Sequence, residues 1–115
     1  MNSVSVIGGG AWGTALAQML AAVGRLTRIW AREEEVITAI NGRHCNDIFL
    51  PNITLSTNVK ATSNLAEAAE TDVLLLVAPA QFFRSVAKEL AKHLKPGLPV
   101  VICAKGIELG SHALM

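Results

Sequence analysis

A doubly wound, parallel α/β sheet is the fold predicted by three observations. Short apolar runs rich in β-branched residues recur five times along the 115 residues. The stretches between them carry helical periodicity, and a glycine-rich turn follows directly on the first run. The unbroken run Val73-Leu74-Leu75-Leu76-Val77 suits a strand buried on both faces, which parallel sheets covered by helices provide.

Taken in order, the runs Val4 to Ile7, Leu26 to Trp30, Val59 to Thr62, Val73 to Val77 and Val100 to Ala104 are each short enough for a strand. Between the first two, Trp12, Leu16, Met19, Leu20 and Val23 fall on one helical face, and Gly24 follows as a stop. A second helix is expected from about Glu33 to Asn41, with three acids in its first turn complementing the dipole and Gly42 ending it. Arg43 to Asn58 has no periodicity and contains Pro51 with several Asn, so it reads as a long connection. Asn64 and Glu67 have the spacing of an N-cap and its third residue for a brief third helix, and Phe82 to Leu94 forms a fourth that Pro96 and Gly97 terminate.

The length holds one domain, 1–115, since single cores are usually built from about 100 to 200 residues. With 51% hydrophobic and 17% charged residues the chain can bury a real core, with apolar surface left over for a further domain. A formal net charge of +1 and scattered basic residues carry no polyanion signature, so a nucleic-acid partner is not expected. No apolar run approaches the roughly 18 residues of a membrane span, and Met1 to Gly10 lacks the Lys or Arg of a signal peptide, so a cytoplasmic setting is expected. Cys45 and Cys103 have no metal-ligand spacing and read as reduced thiols; His44, His93 and His112 likewise gather no metal.

Directly after the first strand, Gly8-Gly9-Gly10-Ala11-Trp12-Gly13 satisfies G-x-G-x-x-G through Gly8, Gly10 and Gly13. Gly8 permits a tight turn, Gly10 lets the backbone approach a pyrophosphate, and Gly13 lets the helix pack on the sheet. The helix N-terminus then presents free N–H groups and the positive end of its dipole to phosphate. A bare glycine pattern is weak, but one set between a strand and a helix of a βαβ unit points to dinucleotide binding and a Rossmann fold. A glycine turn that binds nothing is the plainer alternative. The second strand runs into Trp30-Ala31-Arg32-Glu33, near the expected position of an adenosine ribose. Arg32 there suits pairing with a 2′-phosphate or stacking on adenine and favours NADP(H) over NAD(H), a solvated charge being the alternative; Glu33 reads as a first-turn helix acid. Lys105, just past the fifth apolar run, should emerge at the carboxyl edge, where an ammonium can stabilise charge developing on a reducible carbonyl. Position alone leaves an ordinary strand-end lysine equally open.

Four segments resemble the NAD(P)-dependent glycerol-3-phosphate dehydrogenases, which reduce dihydroxyacetone phosphate to sn-glycerol 3-phosphate. Gly8 to Ala17 resembles the family's GxGxWGTALA loop, and Trp30-Ala31-Arg32 its W-x-R or W-x-H segment. Asn46-Asp47-Ile48-Phe49-Leu50-Pro51 resembles N-x-x-Y-L-P, and Cys103-Ala104-Lys105-Gly106-Ile107-Glu108 the K-G-[IVL]-[ED] segment near the substrate. The resemblance spans the chain. It implies NAD or NADP as cofactor, with Gly8, Gly10, Ala11, Trp12 and Gly13 at the pyrophosphate and Arg32 at the adenosine. It also implies Phe82, after Ala78-Pro79-Ala80-Gln81, beside the nicotinamide half, and Lys105 in contact with substrate and cofactor. Ala11 stands where many members carry Ser or Asn, and Phe49 lacks the usual Tyr hydroxyl, so only backbone or apolar contacts remain there.

By the same resemblance the general acid belongs to a helical carboxyl-terminal domain that this chain lacks, the complete protein makes a glycerophospholipid precursor, and a homodimer of it fits the reading. The chain alone is expected to be an incomplete Rossmann domain, able to bind cofactor and unable to turn over substrate. Opine or 2-ketoacid reductases share the glycine loop but leave Lys105-Gly106-Ile107-Glu108 unexplained. A stand-alone dinucleotide-binding or redox-sensing module is the alternative from a different class.

Overall fold

The computed structural model describes residues 3–8, 10–77 and 80–102, with 80–83 by backbone alone. Nine elements alternate among the described residues: β1 (Ser3–Ile7), α1 (Ala11–Ala22), β2 (Leu26–Trp30), α2 (Glu34–Arg43), β3 (Val59–Thr62), α3 (Leu65–Ala68), β4 (Val73–Leu76), α4 (Ala80–Ala91) and β5 (Val100–Ile102). The strands pair in parallel in the order β3-β2-β1-β4-β5, so the chain reverses direction of travel across the sheet at β1. This is the doubly wound Rossmann arrangement expected from the sequence, with its switch point beside β1.

Each face of the sheet has its own core. Val6, Ile29, Val59 and Ala61 pack with Ala17 and Ala21 of α1 and with Val36 and Ile40 of α2. On the opposite face Ile7, Trp30, Leu74 and Leu76 pack with Leu65 and Ala68 of α3 and with Val86 and Leu90 of α4. Alternation along β1 explains the division: Val6 points to one layer and Ile7 to the other, and both are fully buried. Burying such a side chain contributes about 1.5–3 kcal/mol, so each β1 position binds a whole layer to the sheet.

The helices show where local signals hold and where they fail. Gly24 takes φ 90°, its N–H bonds Ala21 O at 3.0 Å and Arg25 N–H bonds Leu20 O at 3.2 Å, a left-handed cap that ends α1 as expected. Gly42, by contrast, lies inside α2, and the left-handed residue is His44 at φ 54°, with Cys45 N–H closing onto Ala39 O at 3.3 Å. Asn64 caps α3 through Oδ1, accepting from Ala66 N at 2.9 Å and Glu67 N at 3.3 Å. The Asn64 N–H donates to Thr62 Oγ1 at 3.1 Å, which takes the place of a returning Glu67 carboxylate. α4 ends at Ala91, three residues short of the expected stop, and the chain turns through Gly97 at φ 85°. The fifth strand begins at Val100 as expected; Cys103 and Ala104 lie outside the described residues.

One expectation is reversed. Trp12, Met19 and Val23, expected on the packing face of α1, are exposed, while Gly13, Thr14, Ala17 and Ala21 are buried. The cause is distance. A Cβ built on Gly13 would stand 2.1 Å from Gly8 O, so the helix lies too close to the strand-turn backbone to seat large side chains. Only the small-residue stripe fits beneath it, and Leu16 and Leu20 pack from the flanks.

β3 is an edge strand, and its exposed side is managed by one side chain. Asn41 of α2 donates from Nδ2 to Ala61 O at 2.9 Å and accepts from Ala61 N at 2.8 Å through Oδ1, mimicking a neighbouring strand for one residue. At the amino edge of the sheet, Arg28 donates to Glu67 O at 2.6 Å, stitching β2 to the end of α3. Nearby, Lys95 bonds Glu70 Oε2 at 2.6 Å; that hydrogen bond, then the lysine charge, holds the Glu70 carboxyl below the usual carboxylate range.

Candidate cofactor site

The carboxyl edge of the sheet is where the glycine turn, Arg32 and the start of α4 meet. Beyond the strands the ladder continues for one more bond each way: Gly8 N–H to Trp30 O at 2.9 Å, Ala31 N–H to Thr62 O at 3.0 Å and Val77 N–H to Ile7 O at 2.9 Å. Those bonds hold the ends of four strands level. The β1 and β2 register pairs Ile7 with Trp30, so Gly8 stands level with Ala31, and Arg32 emerges one residue further out, exposed, on the same edge.

The three motif glycines have three different surroundings. Gly8 adopts φ 139°, a backbone conformation that side-chain-bearing residues rarely adopt, and so turns the chain off the strand. Gly13 is sterically obligatory, because its missing Cβ is where Gly8 O sits. Gly10, the N-cap of α1, has an ordinary extended backbone at φ −75°, and among the described residues a Cβ on it would meet nothing within 4 Å. None of those residues demands glycine at Gly10. The open space at its Cβ position fits a ligand that approaches the backbone there, which is the role the motif assigns to its middle glycine.

The helix end is suited to an anion. Gly10 has no side chain to cap α1, no acid lies in the first turn, and Thr14 N–H closes the turn on Gly10 O at 2.9 Å. The N–H groups at the start of a helix lack partners within it, and its dipole adds about half a positive charge. Ala11 and Trp12 are exposed in that turn. Trp30, by contrast, is buried, and its indole N–H donates to Ser63 O at 2.9 Å, so the tryptophan of the W-x-R segment serves packing. Phe82 lies in the first turn of α4, next to the end of β4 on the same edge. Lys105 lies outside the described residues, as do Gly9, Ala78 and Pro79.

The long connection, residues 44–58, carries a feature that the sequence reading missed. Asn46 is buried, and its Nδ2 donates to the buried Thr14 Oγ1 at 2.8 Å in the first turn of α1. The available signal was a threonine set among the small residues of the α1 packing stripe, since a buried hydroxyl needs a partner.

A parallel sheet in this order, a glycine turn at its switch point and a helix N-terminus above it together define a Rossmann domain. Residues 3–115 match the family model described as NAD-dependent glycerol-3-phosphate dehydrogenase N-terminus, and the chain belongs to that family. It is 54% identical over 115 residues to the glycerol-3-phosphate dehydrogenase (NAD(P)+) of Paramagnetospirillum magneticum, covering all of this chain and 42% of that protein. It is 51% identical over 114 residues to that of Parvibaculum lavamentivorans, covering 99% of this chain and 34% of that protein. Among solved structures, the glycerol-3-phosphate dehydrogenase of Saccharomyces cerevisiae superposes with a TM-score of 0.82 at 28% identity, covering 90% of this chain and 33% of that one. The chain thus spans between about a third and two fifths of the length of these relatives.

Proposed function

We propose that this chain binds NAD(H) or NADP(H) across the β1–α1 turn, as the cofactor-binding part of an enzyme that interconverts dihydroxyacetone phosphate and sn-glycerol 3-phosphate. The observation that carries it is the contrast between Gly13, closed by Gly8 O, and Gly10, open where a pyrophosphate would lie. When bound, the cofactor supplies the hydride for the ketone carbon.

The chain's own residues bind and orient. The backbone of Gly8 and of Gly10 to Gly13 and the dipole of α1 receive the pyrophosphate, with Trp12 exposed beside it. Arg32 stands where the adenosine ribose would end, and a guanidinium there prefers the cofactor that carries a 2′-phosphate. Phe82 borders the nicotinamide half, and Lys105 donates to the ketone oxygen and to cofactor, both by family resemblance. The proton donor belongs to a separate helical domain in the complete enzyme, where holding the ketone at near-attack distance contributes about 7 to 11 kcal/mol. The family match favours this reading over a stand-alone nucleotide sensor.

The test is calorimetry of the purified chain with NADH and NADPH, paired with nicotinamide absorbance after adding dihydroxyacetone phosphate. Binding without turnover is expected. Turnover by these 115 residues would show that the catalytic apparatus is misplaced.

A further inference from the structure

We infer that Asn46 is a positioning residue for dinucleotide binding, its buried carboxamide setting the 44–55 loop, and Phe49 within it, against the first turn of α1. The inference rests on the cofactor reading above and names a residue whose effect reaches the cofactor only through its neighbours.

The loop is internally closed. Leu50 N–H bonds Asn46 O at 2.7 Å, Phe49 N–H reaches Asn46 Oδ1 at 3.4 Å, and Leu55 N–H bonds His44 O at 2.7 Å at the base. Asn46 is the hub of three of the bonds that matter here: two within the loop, and the third from Nδ2 to Thr14 Oγ1. Thr14 in turn donates its backbone N–H to Gly10 O, so two hydrogen bonds link the loop to the N-cap of α1, where the cofactor reading puts the pyrophosphate. A second tie, Ser56 N–H to Gln18 Oε1 at 2.7 Å, lies one turn further along α1. Phe49 is half-buried against the core layer that includes Ala17 of α1 and Ala31, the residue after β2.

Adhesion does not require this polar pair. Leu55 is buried and Phe49 packs on the same layer, so apolar contact already holds the loop down. Burying a carboxamide and a hydroxyl costs free energy that their hydrogen bond roughly returns, so the net gain in stability is small. What the pair adds is a single permitted register: a donor and an acceptor that meet at one place only. Apolar surfaces slide, whereas this contact fixes where Phe49 stands relative to the N-terminus of α1.

The experiment measures dissociation constants for NADH and NADPH on the full chain, well below each variant's unfolding midpoint, with thermal melts alongside. Thr14→Val removes the acceptor at nearly constant volume, Asn46→Leu removes the donor together with the Oδ1 that accepts from Phe49 N–H, and Thr14→Ser keeps the hydroxyl. Thr14→Val should raise Kd by roughly three- to tenfold, the worth of one hydrogen bond, and Asn46→Leu at least as much, while Thr14→Ser stays within about twofold. Phe49→Ala should raise Kd in the wild type but add little in the Thr14→Val background, because Phe49 has already lost its place. Unchanged Kd with a lowered melting point, or fully additive losses from Thr14→Val and Phe49→Ala, overturns the positioning role and leaves the pair as fold support. If Thr14→Val fails to fold, Asn46→Leu and its own cycle with Phe49→Ala decide the question. Wild-type chain that binds neither dinucleotide overturns the cofactor reading itself, and this inference with it.

Discussion

Replacing Gly13 and Gly10 by alanine, one at a time, separates fold from ligand within a single turn. A Cβ on Gly13 would stand 2.1 Å from Gly8 O and 3.1 Å from Gly8 C, both backbone atoms that no rotamer change can move. Carbon and oxygen need about 1 Å more, so α1 must lift off β1 or the turn must open. Overpacking a tight site costs about 1–3 kcal/mol, and a backbone obstacle lies at the upper end of that range. At this first-turn position alanine regains at most about 1 kcal/mol of helix propensity, leaving a net destabilisation of roughly 2 kcal/mol. At about 2.1 cal/mol/K of unfolding entropy per residue, that lowers Tm of a domain of this size by about 8 °C.

Gly10→Ala meets nothing within 4 Å among the described residues, and the φ of −75° suits any residue. Losing glycine at the N-cap costs some tenths of a kcal/mol, and the stiffer unfolded chain offsets it, so stability should stay within about 1 kcal/mol. Its methyl group nevertheless fills the space assigned to pyrophosphate, and affinity should fall by roughly tenfold or more. Thermal denaturation and dinucleotide titration of both variants decide the matter. A stable Gly13→Ala, or a Gly10→Ala that binds as wild type, would refute the division of labour between the two glycines.

Three further outcomes are expected. Arg32→Ala should weaken NADPH by roughly ten- to a hundredfold and NADH little, by titration, since a charge-assisted bond to phosphate is worth about 1.5–3 kcal/mol; equal losses would remove Arg32 from any 2′-phosphate contact. Asn41→Ala strips Ala61 of both edge-strand hydrogen bonds and should cost about 1–2 kcal/mol in denaturant unfolding, with dinucleotide affinity unchanged. The Glu70 carboxyl is lowered by Lys95, so the pair stabilises the fold above the ordinary carboxylate pKa and loses that contribution as pH falls through the lowered value. Because the pair is exposed, the acid limb of the Tm–pH curve should flatten only slightly in Lys95→Met, and salt should erase the difference.

Strands were the most legible elements, since a β-branched run in a parallel sheet is buried on both sides and little else explains it. The expected β2 and β3 bounds coincide with the observed ones, Leu26–Trp30 and Val59–Thr62. Helix existence was equally clear, but helix faces and ends were not. The α1 stripe of Trp12, Met19 and Val23 has a sound helical period, yet it faces outward because the approach of Gly13 to Gly8 O is a tertiary fact that periodicity does not contain. Gly42 was a plausible stop, and His44 took the left-handed position instead, where Cys45 N–H could close on Ala39 O. At the site the glycine turn was readable because strand, turn and helix are contiguous. The contact of Asn46 with Thr14 was not, although both lie in segments that resemble the family's, since 32 residues separate a pair that only the folded connection brings to 2.8 Å.

The central claim, that dinucleotide binds at the carboxyl edge over the β1–α1 turn, is tested most directly by amide chemical-shift mapping during titration of the labelled chain with NADH and NADPH. The expected perturbations cluster at Gly8, Gly10 to Thr14 and Ala31 to Glu33, with Arg32 and its neighbours responding more strongly to NADPH. The opposite edge provides an internal control, because a cleft of about 260 Å³ opens there between Ser3, Thr27, Arg28, Lys60 and Glu70. Shifts confined to that amino-edge cleft, with the glycine turn silent at saturating cofactor, would contradict the assignment.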